Sequence, residues 1–253
     1  MSSLQDVEWN TEMMDALALP TAQKDFIRTL VESHASNGFG DIVRGKGNGL
    51  VGLLSGPPGV GKTLTAEAVA EVARRPLYTI TSGELGSTPE SVESRLNKIM
   101  ELAEAWNAVV LLDEADIFLM ERDNVSLKRN AITSIFLRRL EYYHGIMILT
   151  SNRPKSFDPA FTSRIHFALE YPDLDDNARR SVWQTFIDRA KRDGRVTVDI
   201  SLEEMDQLVA IPLNGRQIKN IMNITQTVAA QKGLPISMEG VQLALGFSHH
   251  ISK

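Results

Sequence analysis

The sequence predicts an α/β chain, a parallel sheet flanked by helices and followed by a small all-helical domain. Three observations predict it. Short apolar runs alternate with longer amphipathic stretches from residue 50 to about residue 171. Those runs are continuous rather than alternating, the pattern of strands buried on both faces under helices. Beyond Tyr171-Pro172-Asp173 the runs stop and helical periodicity takes over. The expected boundary near residue 172 gives an α/β domain over 1–172 and a helical domain over 173–253.

Five runs are the expected strands: residues 50–54, 77–80, 108–112, 146–149 and 165–169. Strands separated by helical stretches point to repeated βαβ units. Thr88-Pro89 supplies an N-cap and a first-turn proline for a helix through Leu96, Ile99 and Leu102. Residues 126–140 place Ile132, Ile135 and Phe136 on one helical face. In the tail, Asp175 caps a helix carrying Val182, Trp183, Phe186 and Ile187. Ser201 and Glu204 form a capping-box pattern, and Asn214 opens a helix with Ile218, Ile221, Met222 and Thr225 in register. The chain has no internal repeat and no low-complexity segment.

The bulk composition narrows the function classes. With 253 residues, 43% hydrophobic and 23% charged, the chain has an ordinary globular balance and room for one large and one small domain. A net charge of -5 argues against general nucleic-acid affinity, which needs clustered Lys and Arg. The absence of cysteine excludes disulfides and thiolate metal sites. Five scattered histidines, without an HExxH pattern, read as surface or packing residues. No apolar run reaches the roughly 20 residues that span a bilayer. The polar, acidic start lacks a secretory signature. An intracellular setting, cytoplasmic or nuclear, is the expectation.

The sharpest motif is Gly56-Pro57-Pro58-Gly59-Val60-Gly61-Lys62-Thr63, which fits GxxxxGK[ST] between an expected strand and an expected helix. Glycines let successive backbone N–H groups converge on phosphate oxygens, and the helix adds its positive N-terminal end. Lys62 is placed to reach the β- and γ-phosphates, and the Thr63 hydroxyl to join a magnesium shell. With Leu64, the first turn completes the expected ATP-binding segment. A chance match somewhere in such a chain is roughly a 1% event, so the motif indicates a P-loop nucleotide site. The glycine-rich stretch at Gly45, Gly47 and Gly49 reads only as a turn into the first strand.

Val109-Val110-Leu111-Leu112 ends in Asp113-Glu114, an apolar strand finishing in two carboxylates. Asp113 can hold magnesium and Glu114 can polarise an attacking water. Phosphoryl transfer needs both a cation against the phosphate charge and a base near the nucleophile. Together GPPGVGKT and LLDEAD resemble the AAA group of ATPases, from about residue 49 into the tail. The stretch Leu140-Glu141-Tyr142-Tyr143 is similar to fungal proteins of the AAA type.

The resemblance implies further roles. Asn152, in Thr150-Ser151-Asn152-Arg153-Pro154, stands in the place of a polar sensor of the γ-phosphate. Arg164, closing Phe157-Asp158-Pro159-Ala160-Phe161-Thr162-Ser163-Arg164, stands where AAA rings carry an arginine finger. This segment is shorter than in many members and offers that one arginine. Arg216, after Asn214-Gly215, matches an arginine that closes a lid onto the nucleotide; the best-known protein-unfolding members lack it. A helix N-terminus repels cations, so an arginine there more naturally meets an anion. Ring translocases carry an aromatic in the loop after the second strand. Residues 81–88 hold none, and Leu85 is the one large apolar side chain there that could substitute.

These readings imply an ATP-hydrolysing module, using ATP and Mg2+, that remodels a protein partner. The resemblance implies a homo-oligomer, a hexameric ring, though an isolated module could be monomeric. A nucleotide-responsive scaffold with little turnover is the alternative; intact Glu114, Asn152 and Arg164 favour hydrolysis. A loader acting on DNA gains from Arg216 and loses to the acidic balance. The roughly fifty residues before the loop are too short for a substrate-recognising domain, so specificity is expected elsewhere in a longer polypeptide.

Overall fold

The computed structural model of the chain describes residues 7–37, 49–121, 126–153 and 157–249. Most of the polar start, residues 45–48 of the glycine-rich stretch read as a turn, Pro154 and His250 lie outside them. Two units form: residues up to Pro57 with Lys62–Tyr171, and Pro58–Gly61 with the chain from Pro172 onward.

In the first unit, a 3₁₀ turn at Thr11–Met14 and α1 (Thr21–Asn37) precede β1 (Leu50–Ser55), α2 (Lys62–Ala73) and β2 (Leu77–Thr81). Next come α3 (Ser82–Leu85), α4 (Pro89–Ala105), β3 (Val109–Asp113), α5 (Asp116–Leu119) and α6 (Leu127–Tyr142). β4 (Ile146–Ser151), a 3₁₀ turn at Pro159–Phe161 and β5 (Phe167–Glu170) complete it. All five strands are parallel, in the order β2-β3-β4-β1-β5.

Burial follows that order. Every residue of β1 and β4 is buried, whereas edge strand β5 alternates buried and exposed residues. The runs at 50–54, 108–112 and 146–149 are thus the central strands. Those at 77–80 and 165–169, also expected to be buried on both faces, form edge strands β2 and β5 with exposed residues, because each has a neighbour on one side alone. Ile80, Val110, Leu112, Met147 and Leu149 pack with Leu96 of α4 and Phe136 of α6 in one core. Phe118 stacks on Phe136 at 5.4 Å between ring centroids. Thr88 caps α4 by accepting from the Ser91 amide at 3.3 Å, with Pro89 in the first turn.

The second unit carries α7 (Asp176–Asp193), β6 (Val198–Asp199), α8 (Leu202–Ala210), α9 (Gly215–Lys232), β7 (Ile236–Ser237) and α10 (Met238–His249). Asp175, Ser201 and Asn214 each accept a backbone N–H at the start of α7, α8 and α9. Trp183, Leu208, Ile218, Met222 and Ile236 centre its core.

Two further expectations need correction. The tail is not purely helical, because β6 and β7 pair in parallel. Two-residue strands carry no periodicity to read, and their pairing follows from burying Ile236, whose amide donates to the Thr197 carbonyl at 2.8 Å. Second, residues 82–85 of the expected loop form a helical turn, closed by a capping box between Thr81 and Glu84. That turn sends Leu85 into the core, fully buried, so it presents no gripping side chain. Among the described residues no helix is long and apolar enough to cross a membrane.

Candidate functional site

β1, β3 and β4 end together, and parallel sheets of this kind place their ligand sites beyond the strands' carboxyl ends. β1 gives way to the loop at Gly56, with φ +142°, where a Cβ atom would lie 2.3 Å from the Tyr171 carbonyl oxygen. Only glycine meets both conditions. The Gly56 amide donates to the Ser151 carbonyl at 3.1 Å, tying the loop to β4.

Lys62 opens α2 and is buried. Its ammonium donates to the carbonyls of Gly56 and Pro57, both at 2.8 Å, and to Asn152 Oδ1 at 2.9 Å. The cation is therefore held where β1 and β4 end. Thr63 is half-buried and Leu64 partly exposed in the same first turn. One turn on, Thr65 shares a hydrogen bond of 2.7 Å with the Tyr171 hydroxyl. Burial pushes Tyr171 up to about 12, so it stays a neutral phenol.

The loop centre belongs to the second unit. Gly59 has φ +78°, and a Cβ there would fall 2.6 Å from Asn214 Oδ1. The Gly215 amide donates to the Gly59 carbonyl at 2.8 Å. Val60 is buried, and Arg216, second residue of α9, is exposed.

The acidic pair sits where the β3–β4 ladder stops. The last register pair is Leu112 with Leu149. Beyond it the Thr150 hydroxyl donates to Asp113 Oδ1 and accepts from the Glu114 amide at 3.0 Å. The Thr150 carbonyl accepts from the Ala115 amide at 2.8 Å. Glu114 adopts φ +55°, a left-handed conformation uncommon for a side-chain-bearing residue. Next along β4, the Ser151 hydroxyl donates to Asp116 Oδ1 and accepts from the Arg153 amide at 2.9 Å.

Among the described residues no three His, Cys, Asp or Glu side chains gather into a metal cluster. One hydroxyl at Thr63 and one carboxylate at Asp113 are instead the donors that suit magnesium when phosphates and water complete the octahedron. A loop with glycines in positive φ and an ammonium beside it suits phosphate oxygens. The residues present therefore fit a magnesium nucleotide.

The structure brings Lys62 against Asn152, and holds Asp113 and Glu114 through Thr150. It does not bring Arg164 to them. That guanidinium donates to Glu141 Oε2 at 3.1 Å, the Ala160 carbonyl at 2.9 Å and Ser163 Oγ at 3.1 Å. Sequence reasoning passed over Thr150, Ser151, Asp116 and Glu141. The available signal was polar residues at the end of a wholly apolar strand, where a buried hydroxyl needs a partner.

Comparison with known proteins agrees with the fold. Residues 52–173 match the family described as ATPase family associated with various cellular activities (AAA). Residues 174–242 match the fungal AAA+ ATPase lid domain. The CD-NTase-associated protein 6 of Pseudomonas aeruginosa is 32% identical over 143 residues, 47% of this chain and 47% of that protein. The ATPase family AAA domain-containing protein 3A homolog of Drosophila melanogaster is 30% identical over 135 residues, 50% of this chain and 22% of that one. The aligned part thus spans less than half of either relative. Among solved structures, the FIGL-1 AAA domain in complex with ADP superposes with a TM-score of 0.66 at 18% identity, covering 96% of this chain and 86% of that one.

Proposed function

The chain belongs to the AAA family of ATPases, and on that premise we propose that it binds and hydrolyses ATP with Mg2+, driving conformational remodelling of a macromolecular partner as part of a ring oligomer. The observation that carries this reading is the convergence of Lys62, Asn152, Asp113 and Glu114 where β1, β3 and β4 end.

Each residue then has a physical task. Lys62 supplies a fixed positive charge for the β- and γ-phosphates. Thr63 and Asp113 would hold a magnesium ion, which would supply charge to offset that of the phosphates. Glu114 is exposed, so water can reach it, and it serves as the base that polarises the nucleophile. Asn152 orients the γ-phosphate and that water. Arg164 acts as the arginine finger of a neighbouring copy's site, and Arg216 as the lid arginine that meets the nucleotide. The remodelled partner is a protein. Without an aromatic in residues 81–88, and with Leu85 buried, a grip-and-pull device cannot rest on that segment.

Titration with a fluorescent ATP analogue and a phosphate-release assay test the core of the proposal. Lys62→Ala should abolish binding. Glu114→Gln should bind normally and lower turnover by about 10²- to 10⁴-fold, the usual contribution of a general base. Undiminished turnover in Glu114→Gln would remove Glu114 as the base.

A further inference from the structure

Both magnesium and water activation depend on how the two carboxylates are held, and the sheet holds them on one side at most: Asp113 pairs with Thr81 of β2, and Glu114 lies beyond the end of β3. The β3–β4 ladder ends at Leu112 and Leu149, one residue short of Asp113. Glu114 lies further out, in a left-handed conformation with φ +55°. A side-chain-bearing residue keeps such a conformation where its surroundings over-determine it.

One residue makes the contacts that do so. Thr150 is 1% exposed, and its hydroxyl uses both of its capacities on the acidic pair. As donor it binds Asp113 Oδ1; as acceptor it takes the Glu114 amide at 3.0 Å. Its main-chain carbonyl takes the next amide, that of Ala115, at 2.8 Å. Asp113 and the two residues that follow β3 are thus each bound by one residue of β4, on the side that the β2 pairing leaves open.

We propose that Thr150 is the positioning residue of the acidic pair: its hydroxyl aims the free oxygen of Asp113 at the magnesium site and locks the backbone turn that presents Glu114 to the attacking water. Thr150 touches neither nucleotide nor metal; it acts through two residues that do. The inference rests on the hydrolytic reading above for its catalytic half, and on the chemistry of Asp113 alone for its metal half.

The reading that competes is a buried threonine that merely fills space. Thr150→Val keeps the branched shape and removes the hydroxyl, and Thr150→Ser keeps the hydroxyl and removes the methyl. Thr150→Ala reports the same loss if valine disturbs the packing. The 253-residue chain is titrated with Mg2+ at fixed fluorescent ATP analogue, then assayed for phosphate release. Amide hydrogen exchange at Glu114 is followed in protein without nucleotide.

Thr150→Val should raise the Mg2+ midpoint and lower kcat, each by about 10- to 100-fold, the range found when an outer partner of a metal ligand is removed. Affinity for the magnesium-free analogue should stay within about twofold, since Lys62 and the loop are untouched. Exchange at Glu114 should accelerate, and Thr150→Ser should restore all three towards wild type. Unchanged Mg2+ midpoint and kcat in Thr150→Val would overturn the proposal, as would a serine variant as impaired as valine. Wild-type protein that binds the magnesium nucleotide but releases no phosphate would sink the hydrolytic reading instead. The Mg2+ midpoint and the exchange at Glu114 would then decide Thr150 by themselves.

Discussion

His166 shows how one side chain can hold an edge strand to a sheet. Its main-chain amide donates to the Val51 carbonyl at 2.8 Å, and its Nδ1 accepts from the Val51 amide at 3.0 Å. The second bond requires an unprotonated Nδ1. Burial penalises the charged ring and holds His166 below its ordinary value. In the unfolded chain the imidazole titrates near 6.5, so just below that pH the unfolded chain binds more protons than the folded one. Stability present above that value is lost as pH falls through the folded value. The melting temperature should therefore drop between about pH 7.5 and about pH 5.5, and drop less in His166→Asn, whose Oδ1 accepts without titrating. Parallel thermal melts at matched ionic strength measure this. Equal slopes would acquit His166.

At the scale of elements, α3 decides what the segment after β2 can do. The Thr81 hydroxyl and Glu84 carboxylate share a hydrogen bond of 2.9 Å, and a single turn forms. Its orientation sends Leu85 among Val92, Leu96 and Leu112. Leu85→Ala should then cost about 2–5 kcal/mol, the usual range for a buried leucine, measured as a shift in denaturant midpoint with an unchanged slope. Leu85→Tyr, which introduces an aromatic into the segment, should also destabilise, because a larger side chain at a fully buried position overpacks its surroundings. A Leu85→Ala variant as stable as wild type would return this side chain to the surface. The motif letters alone could not place Leu85. An isolated four-residue turn has no period to read, and its cap became legible only once Thr81 was seen to end a strand.

At the scale of the whole molecule, the proposal for Arg164 concerns more than one copy of the chain. Its guanidinium is one-quarter exposed and paired with Glu141. A finger acting in trans would exchange that partner for a neighbour's γ-phosphoryl group, in a head-to-tail contact that closes into a ring. Such arginines are worth roughly 10³–10⁵ in rate in related phosphoryl transfers. Specific activity should therefore rise with protein concentration, and Arg164→Ala should bind ATP normally yet stay slow throughout. Mixing is sharper. A Glu114→Gln copy retains Arg164 and an Arg164→Ala copy retains Glu114, so two inactive preparations should regain activity together. Mixed oligomers seen by light scattering without recovered turnover would refute the trans role.

The sequence by itself determined what rests on neighbours along the chain. GPPGVGKT between a strand and a helix, and apolar runs long enough for buried strands, identify the fold class and the family. The caps at Thr88, Asp175, Ser201 and Asn214 were readable for the same reason, since a cap and the amide it satisfies lie within three residues. Only the tertiary structure decided which side chains meet across the sheet. Lys62 finds Asn152 across 90 residues, Thr150 finds Asp113 across 37, and Arg164 finds Glu141 across 23. Strand order and register create those pairs, and neither is written in a local pattern. A buried hydroxyl at a strand end says that it needs a partner, but not that the partner is Asp113 on the strand beside it.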